Sequence, residues 1–357
     1  VRVGIWYHRP VPVEKYGGTE RVVVWLADAL AALGHEPVLL SPPGTRSDPA
    51  RVHVLPVDRI ERAEEDPDFP LDQHLPPGLD VLHCFSGLAA RTSLPRIRTV
   101  EGNGEPGSFG PEHVFVSRDH MRRMGGERFV YNGIDPDDYE FRREKEPWFL
   151  FLSKARWEVK GVDRAERIAR RAGVRLVIAG GWRFNWSRRI TSVGMVGGAR
   201  KRRLLAGARG LIFPVRWEEP FGIVVPEALA SGTPVIASRR GSLPELVTPE
   251  VGFLCEGEDE FVDAVGRVDE IDPGACRRRA VEEFSAERMA REYLEIYREV
   301  VAEGEGEAAG RTRGSREQGG SGLRGQAGSG SRGKGGPRRD RGSPGERDDA
   351  RPRSRTR

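Results

Sequence analysis

Residues 210–238 run through a short apolar stretch, a polar turn, a helix-like run that stops at Gly232, and a second apolar stretch ending at Ser238. Strand, loop, helix, strand in that order is the repeating unit of folds in which parallel strands are joined by helices. Within it, Glu219 and Glu227 flank Pro220-Phe221-Gly222, with Gly222 at the opening of the helical run. The backbone N–H groups at such a helix start favour an anionic ligand, and a glycine there lets the ligand approach the backbone closely. Were most of the segment between the two glutamates helical, they would stand roughly 12 Å apart at 1.5 Å per residue.

The same alternation opens the chain. Residues 1–7 form an apolar run of the kind expected for a strand buried on both faces. Gly17-Gly18-Thr19-Glu20 follows, and then Val22, Val23, Leu26, Leu30 and Leu33 recur at helical spacing until Gly34, a natural C-cap. Residues 37–41 read as the next strand. Further apolar runs come at 52–55, 79–85, 97–100, 113–117 and 129–131, while the acidic, proline-bearing residues 60–77 read as a surface excursion. A polar run at 137–147 marks a domain boundary, after which strands at 148–152, 174–179 and 191–194 and helices near 162–172 and 201–208 lead back to 210–238. A last short strand at 252–255 and a helix at 258–268 follow. Ser285 caps a final helix carrying Met289, Tyr293, Ile296, Tyr297 and Val300.

The chain's 357 residues leave room for two ordinary domains. The formal charge is +4, yet residues 303–357 alone hold fourteen Lys and Arg against eight Asp and Glu, so the rest is mildly acidic. That C-terminal stretch is dominated by Gly, Arg, Ser and Pro with no aromatic residue, and it reads as a disordered tail. Its excess of arginine would suit nucleic acid or anionic lipid, but with no aromatic ring to stack on bases a solvated extension without function is the simpler reading. The three cysteines, Cys84, Cys255 and Cys276, have neither metal-ligand nor disulfide spacing, which points to a reducing compartment. With no leader pattern and no apolar run of about 18 residues, the expectation is a cytoplasmic protein, contact with the inner membrane surface being left open.

The glutamate pair around Pro-Phe-Gly resembles the signature of the retaining glycosyltransferases of family 4, which have the GT-B fold. The resemblance covers about residues 1–300 and implies an α/β architecture of two Rossmann-like, doubly wound domains facing each other across a cleft. The corresponding division is 1–145 for an acceptor-side domain, 146–284 for a nucleotide-sugar donor domain, 285–302 for a helix returning to the first domain, and 303–357 for the tail. It further implies transfer of a sugar from a nucleotide-diphosphate sugar to an acceptor hydroxyl with retained configuration. No obligatory metal and no cofactor are expected, the sugar nucleotide being a co-substrate. The acceptor, whether sugar, lipid or small molecule, is not named by the residues.

Each part of a sugar nucleotide calls for a different residue type. In Ser153-Lys154-Ala155-Arg156-Trp157-Glu158-Val159-Lys160-Gly161, Arg156 can grip phosphate oxygens bidentately and Lys160 can add a point charge, together neutralising the departing diphosphate. A solvated charged loop is the plainer alternative, and the glutamate motif argues against it. Carboxylates accept hydrogen bonds from hydroxyl pairs. By resemblance, Glu227 takes the ribose hydroxyls, Glu219 the transferred sugar, and the N–H groups of Phe221, Gly222 and Ile223 the sugar hydroxyls. Gly17 and Gly18 resemble the family's glycine loop facing the donor, and Met195 and Val196 fall where family members contact the base through backbone. One residue departs from the pattern. Where the family shows His-Gly, this chain has Glu101-Gly102, so Glu101 is a candidate that binds a sugar hydroxyl or stays protonated when buried. His83 and His113 read as core or turn residues rather than its replacement. Two other readings stand beside transfer: a sugar-nucleotide binding protein without activity, and a glycoside hydrolase using Glu219 and Glu227 as its acid and base.

Overall fold

The computed structural model describes residues 1–13, 17–48, 50–184 and 186–318. Its first sheet is built from β1 (Arg2–Trp6), α1 (Thr19–Ala32), β2 (Glu36–Ser41), β3 (Arg51–Val54), α2 (Val57–Glu65), β4 (Val81–Cys84), β5 (Arg96–Val100), β6 (His113–Phe115), α3 (Arg118–Met124) and β7 (Arg128–Phe129). The strands lie in the order β3-β2-β1-β4-β5-β6-β7, and every pairing is parallel. Parallel strands covered on both faces need continuous apolar runs, which is why Val3, Ile5, Val81, Leu82 and Ile97 are fully buried. α1 turns Val22, Val23, Leu26 and Leu30 into the same core.

Residues 60–77 do more than cross the surface. α2 buries Ile60 and Ala63, and Phe69 and Leu71 join them against Trp6, Leu40 and Leu82. Four apolar side chains scattered among acids are enough to seat the segment, although their spacing is hard to see through the charge.

The second sheet comprises β8 (Glu146–Leu152), α4 (Val162–Arg171), β9 (Arg175–Ala179), β10 (Ile190–Ser192), α5 (Gly198–Gly207), β11 (Ala208–Phe213), α6 (Val224–Ala230), β12 (Val235–Ser238), α7 (Leu243–Leu246), β13 (Gly252–Cys255) and α8 (Glu258–Arg267). Its order, β10-β9-β8-β11-β12-β13, is again parallel throughout. In both sheets the winding reverses once, between β1 and β4 and between β8 and β11. Loops at the carboxyl ends of those strands diverge and leave a crevice, the usual ligand position in open α/β sheets.

α9 (Pro273–Phe284) and α10 (Ala286–Gln318) complete the described chain. α10 returns to the first sheet, where the Tyr297 hydroxyl lies 2.7 Å from His83 Nδ1 and the Tyr293 hydroxyl 2.6 Å from Thr99 Oγ1. His83 is thus a buried link between sheet and helix, and burial pushes its imidazole down to about 3. Sequence reasoning ends this helix at 302 and assigns disorder from 303. The helical backbone runs on to Gln318; residues 319–357 lie outside the described residues. Among those described, no helix is long and apolar enough to cross a membrane.

Candidate active site

A cleft of about 490 Å³ opens between the two sheets. Its second-sheet wall is made by the loops after β8 and β11, which the strand order places side by side. Gly161, at φ 75°, allows this approach: a Cβ there would meet the Pro214 carbonyl oxygen at 2.2 Å. Gly222 has φ 84°, and it turns the chain between Glu219 and the start of α6. α6 begins only at Val224, so the segment from Glu219 is mainly loop before one short helix, and the fully helical spacing does not hold.

The two glutamates occupy different electrostatic settings. Glu219 is buried, with Lys160 Nζ 3.0 Å from Oε1 and 2.7 Å from Oε2. The Trp217 indole also donates to Oε2 at 2.7 Å, and the Lys160 ammonium sits 4.4 Å from the centre of that ring. Glu227 is 1% exposed, and its Oε1 accepts from Lys201 Nζ, from Arg21 Nη1 and, at 2.8 Å, from the Tyr139 hydroxyl. Burial would raise the Glu227 pKa, but the charges of Arg21 and Lys201 outweigh it and hold the carboxyl below its ordinary value. Burial also lowers Lys201 to about 8 against the pull of Glu227.

Arg21 comes from α1, on the other side of the cleft. Its Nε donates to the Gly17 carbonyl at 2.7 Å, so one guanidinium fastens the glycine turn to Glu227. Gly18 faces Ile223, with 3.9 Å between a Cβ placed on Gly18 and the Ile223 Cγ2. Glu101 and Asn132 line the first-sheet wall. Asn132 Nδ2 donates to Glu101 Oε2 at 3.0 Å, whereas Glu101 Oε1 and Asn132 Oδ1 are buried and have no hydrogen-bond partner among the described residues. Burial, reinforced by the neighbouring Glu20 and opposed by Asn132, pushes the Glu101 carboxyl up to about 7.

The cleft therefore gathers Gly17, Gly18, Glu101, Lys160, Val196, Glu219, Phe221, Gly222, Ile223 and Glu227, with Met195 beside them. Arg156 is not among them. It is exposed and lines a separate surface hollow with Trp182, Arg183 and Asp163. Besides Lys160, the cation that this loop brings to the cleft wall is Lys154, whose ammonium lies 4.1 Å from the centre of the Trp157 ring. The Trp157 N–H closes a turn on the Lys154 carbonyl at 3.0 Å, and the two cations of that turn line different hollows, which linear spacing does not reveal. Lys201, Arg21 and Tyr139 also escape the sequence reading. They lie far from Glu227 along the chain, and only Lys201, a cation directly after the Met195-Val196 turn, carries a local hint. Among the described residues, no three His, Cys, Asp or Glu side chains converge to hold a metal ion.

Two doubly wound parallel domains with a polar cleft at their facing switch points define the GT-B class. Residues 146–269 match the family described as Glycosyl transferases group 1. The chain is 27% identical over 210 residues to an uncharacterized glycosyltransferase of Methanocaldococcus jannaschii, covering 48% of this chain and 53% of that protein. It is 36% identical over 111 residues to MMP alpha-(1->4)-mannosyltransferase of Mycolicibacterium hassiacum, 28% of this chain and 26% of that one. The matches thus span about half, or less, of the length of these curated relatives. A crystal structure of a glycosyltransferase involved in Avilamycin A biosynthesis superposes with TM-score 0.68 at 27% identity, covering 84% of this chain and 98% of that one. Sucrose-phosphate synthase from Thermosynechococcus elongatus shares the fold at TM-score 0.65 and 20% identity, over 84% of this chain and 98% of that one. The chain is a GT-B-fold protein related to the family-4-type glycosyltransferases.

Proposed function

We propose that this protein transfers a sugar from a nucleotide-diphosphate sugar to an acceptor hydroxyl, with retention at the anomeric carbon and without a metal ion. The observation that carries the reading is the convergence of Lys154, Lys160, Glu219 and Glu227 in one cleft between the two sheets. An ionised Glu227 accepts hydrogen bonds from the ribose hydroxyls, sharing or displacing those from Arg21. Lys154 and Lys160 supply the positive charge against which the diphosphate departs. Glu219, steadied by Lys160 and Trp217, accepts hydrogen bonds from the sugar hydroxyls, to which the backbone N–H groups of Phe221, Gly222 and Ile223 donate. The bond from the anomeric carbon to the diphosphate oxygen breaks as the acceptor oxygen bonds to that carbon from the same face, and the acceptor's proton passes to the departing diphosphate oxygen.

Hydrolysis by Glu219 and Glu227 fits poorly. A general acid needs a raised pKa, and Glu227 is held down by two cations. Binding without transfer is the second reading, favoured by Glu101, a carboxyl in the wall where relatives' histidine is expected. The discriminating experiment incubates the protein with a panel of nucleotide sugars and acceptors, in the presence of a chelator. Release of nucleoside diphosphate coupled to a product of unchanged anomeric configuration supports transfer. Tight nucleotide binding with neither release nor product across the panel supports the second reading.

A further inference from the structure

The connection between β9 and β10 runs only from residue 180 to residue 189 and holds no helix among the described residues, although parallel neighbours are usually joined through one. In place of a helix it presents aromatic rings to solvent: Trp182 is 77% exposed, Phe184 79% and Trp186 90%. Arg188 and Arg189 follow them and are exposed, residues 180–191 contain no Asp or Glu, and Arg183, between the first two rings, is paired with Glu166 at 3.0 Å. Leaving such large rings in water forgoes about 25 cal/mol for each Å² that could be buried. Contiguous exposed apolar surface of this kind marks an interaction site.

We propose that residues 182–184 and 186–189 form a docking tip for an anionic bilayer, with Trp182, Phe184 and Trp186 entering the interfacial layer and Arg188 and Arg189 meeting lipid phosphates. Charge and ring geometry select this occupant. Aromatic rings and arginines side by side suit the headgroup level, where amphipathic rings settle and each basic residue adds attraction. A carbohydrate platform would need rings sharing one face and carboxylates for hydroxyl pairs. Here the Phe184 and Trp186 planes are turned 86° to each other, with centroids 4.9 Å apart, and the charges that follow this pair in the chain are Arg188 and Arg189, the carboxylates Glu158 and Asp163 lying instead in the hollow beside Trp182. The tip also stands at the carboxyl end of the second sheet. Gly180, which begins it, lines the cleft, and Gly194, beside the cleft residue Met195, packs against Trp182. Docking through this tip places the membrane beside the cleft wall, and it is independent of whether the cleft transfers sugar.

The test is co-sedimentation of the full chain with vesicles of phosphatidylcholine alone or mixed with phosphatidylglycerol, together with tryptophan emission. Expected are partition into the mixed vesicles only, a blue shift on binding, and weakening by salt. Phe184→Ser with Trp186→Ser is expected to lower partition at least about ten-fold, and Arg188→Gln to lower it about five-fold, with thermal unfolding unchanged because these side chains are exposed. Absence of partition into the mixed vesicles overturns the proposal. So does equal partition of wild type and the Phe184→Ser/Trp186→Ser variant, which assigns lipid binding to another basic segment. Self-association, or retention on immobilised oligosaccharide, that is abolished by the same variant without vesicle binding gives the rings a different occupant and also overturns it.

Discussion

Arg21 and Glu227 meet across the cleft, the guanidinium of a first-sheet helix donating to a carboxylate buried in the second. Because Lys201 and Tyr139 share the same oxygen, Glu227 is both the proposed ribose acceptor and the anchor of a buried ionic cluster.

Replacing Glu227 therefore has two consequences. Glu227→Ala leaves Lys201 buried without its counter-charge, which costs about 3–5 kcal/mol of stability, and it weakens nucleotide binding. Urea unfolding measures the first and titration calorimetry with nucleoside diphosphates the second. Unchanged nucleotide affinity in a folded Glu227→Gln protein would remove the ribose assignment.

The loop after β8 makes a sharper prediction, since its cations point in different directions. Lys154→Ala and Lys160→Ala are each expected to weaken donor binding or turnover by roughly ten-fold or more, the worth of a charge-assisted hydrogen bond. Arg156→Ala, remote from the cleft wall, is expected to leave steady-state kinetics near wild type. The reverse order would return the diphosphate grip to Arg156.

Glu101 gives a pH signature. Its folded pKa is raised to about 7 by burial, above the value of an unfolded glutamate. The folded state then binds the proton more tightly, so this contribution to stability is present at low pH and is lost as pH rises through about 7. Glu101→Gln keeps the hydrogen bond from Asn132 within reach and abolishes the titration. Unfolding at about pH 5 and about pH 8 is expected to show the variant gaining on wild type at the higher value. A constant difference between the two proteins would refute the buried protonated carboxyl.

Gly222→Ala tests the turn itself. At φ 84° an alanine is strained, and its Cβ would lie 3.3 Å from both Glu219 Cγ and the Phe213 ring. A loss of about 1–2 kcal/mol in stability, accompanied by a larger fall in transfer than in nucleotide affinity, is expected if Glu219 serves the sugar. Equal falls in both would place the turn at the nucleotide.

The sequence determined the parallel architecture, because strands buried on both faces must be written as unbroken apolar runs and the helices between them show their spacing. It also determined the Glu219 and Glu227 unit, a local motif whose chemistry travels with its own turn. Only the tertiary structure decided what surrounds those carboxylates. Lys160 reaches Glu219 from the adjacent switch-point loop, and Lys201, Arg21 and Tyr139 reach Glu227 from three separate parts of the chain; these partners form by proximity in space, which, beyond the hint at Lys201, the linear order does not record. The exchange of Arg156 for Lys154 on the cleft wall has the same origin. Which way a side chain faces in an irregular loop depends on backbone angles set by packing, such as that of Gly161 against Pro214, and no residue period encodes them.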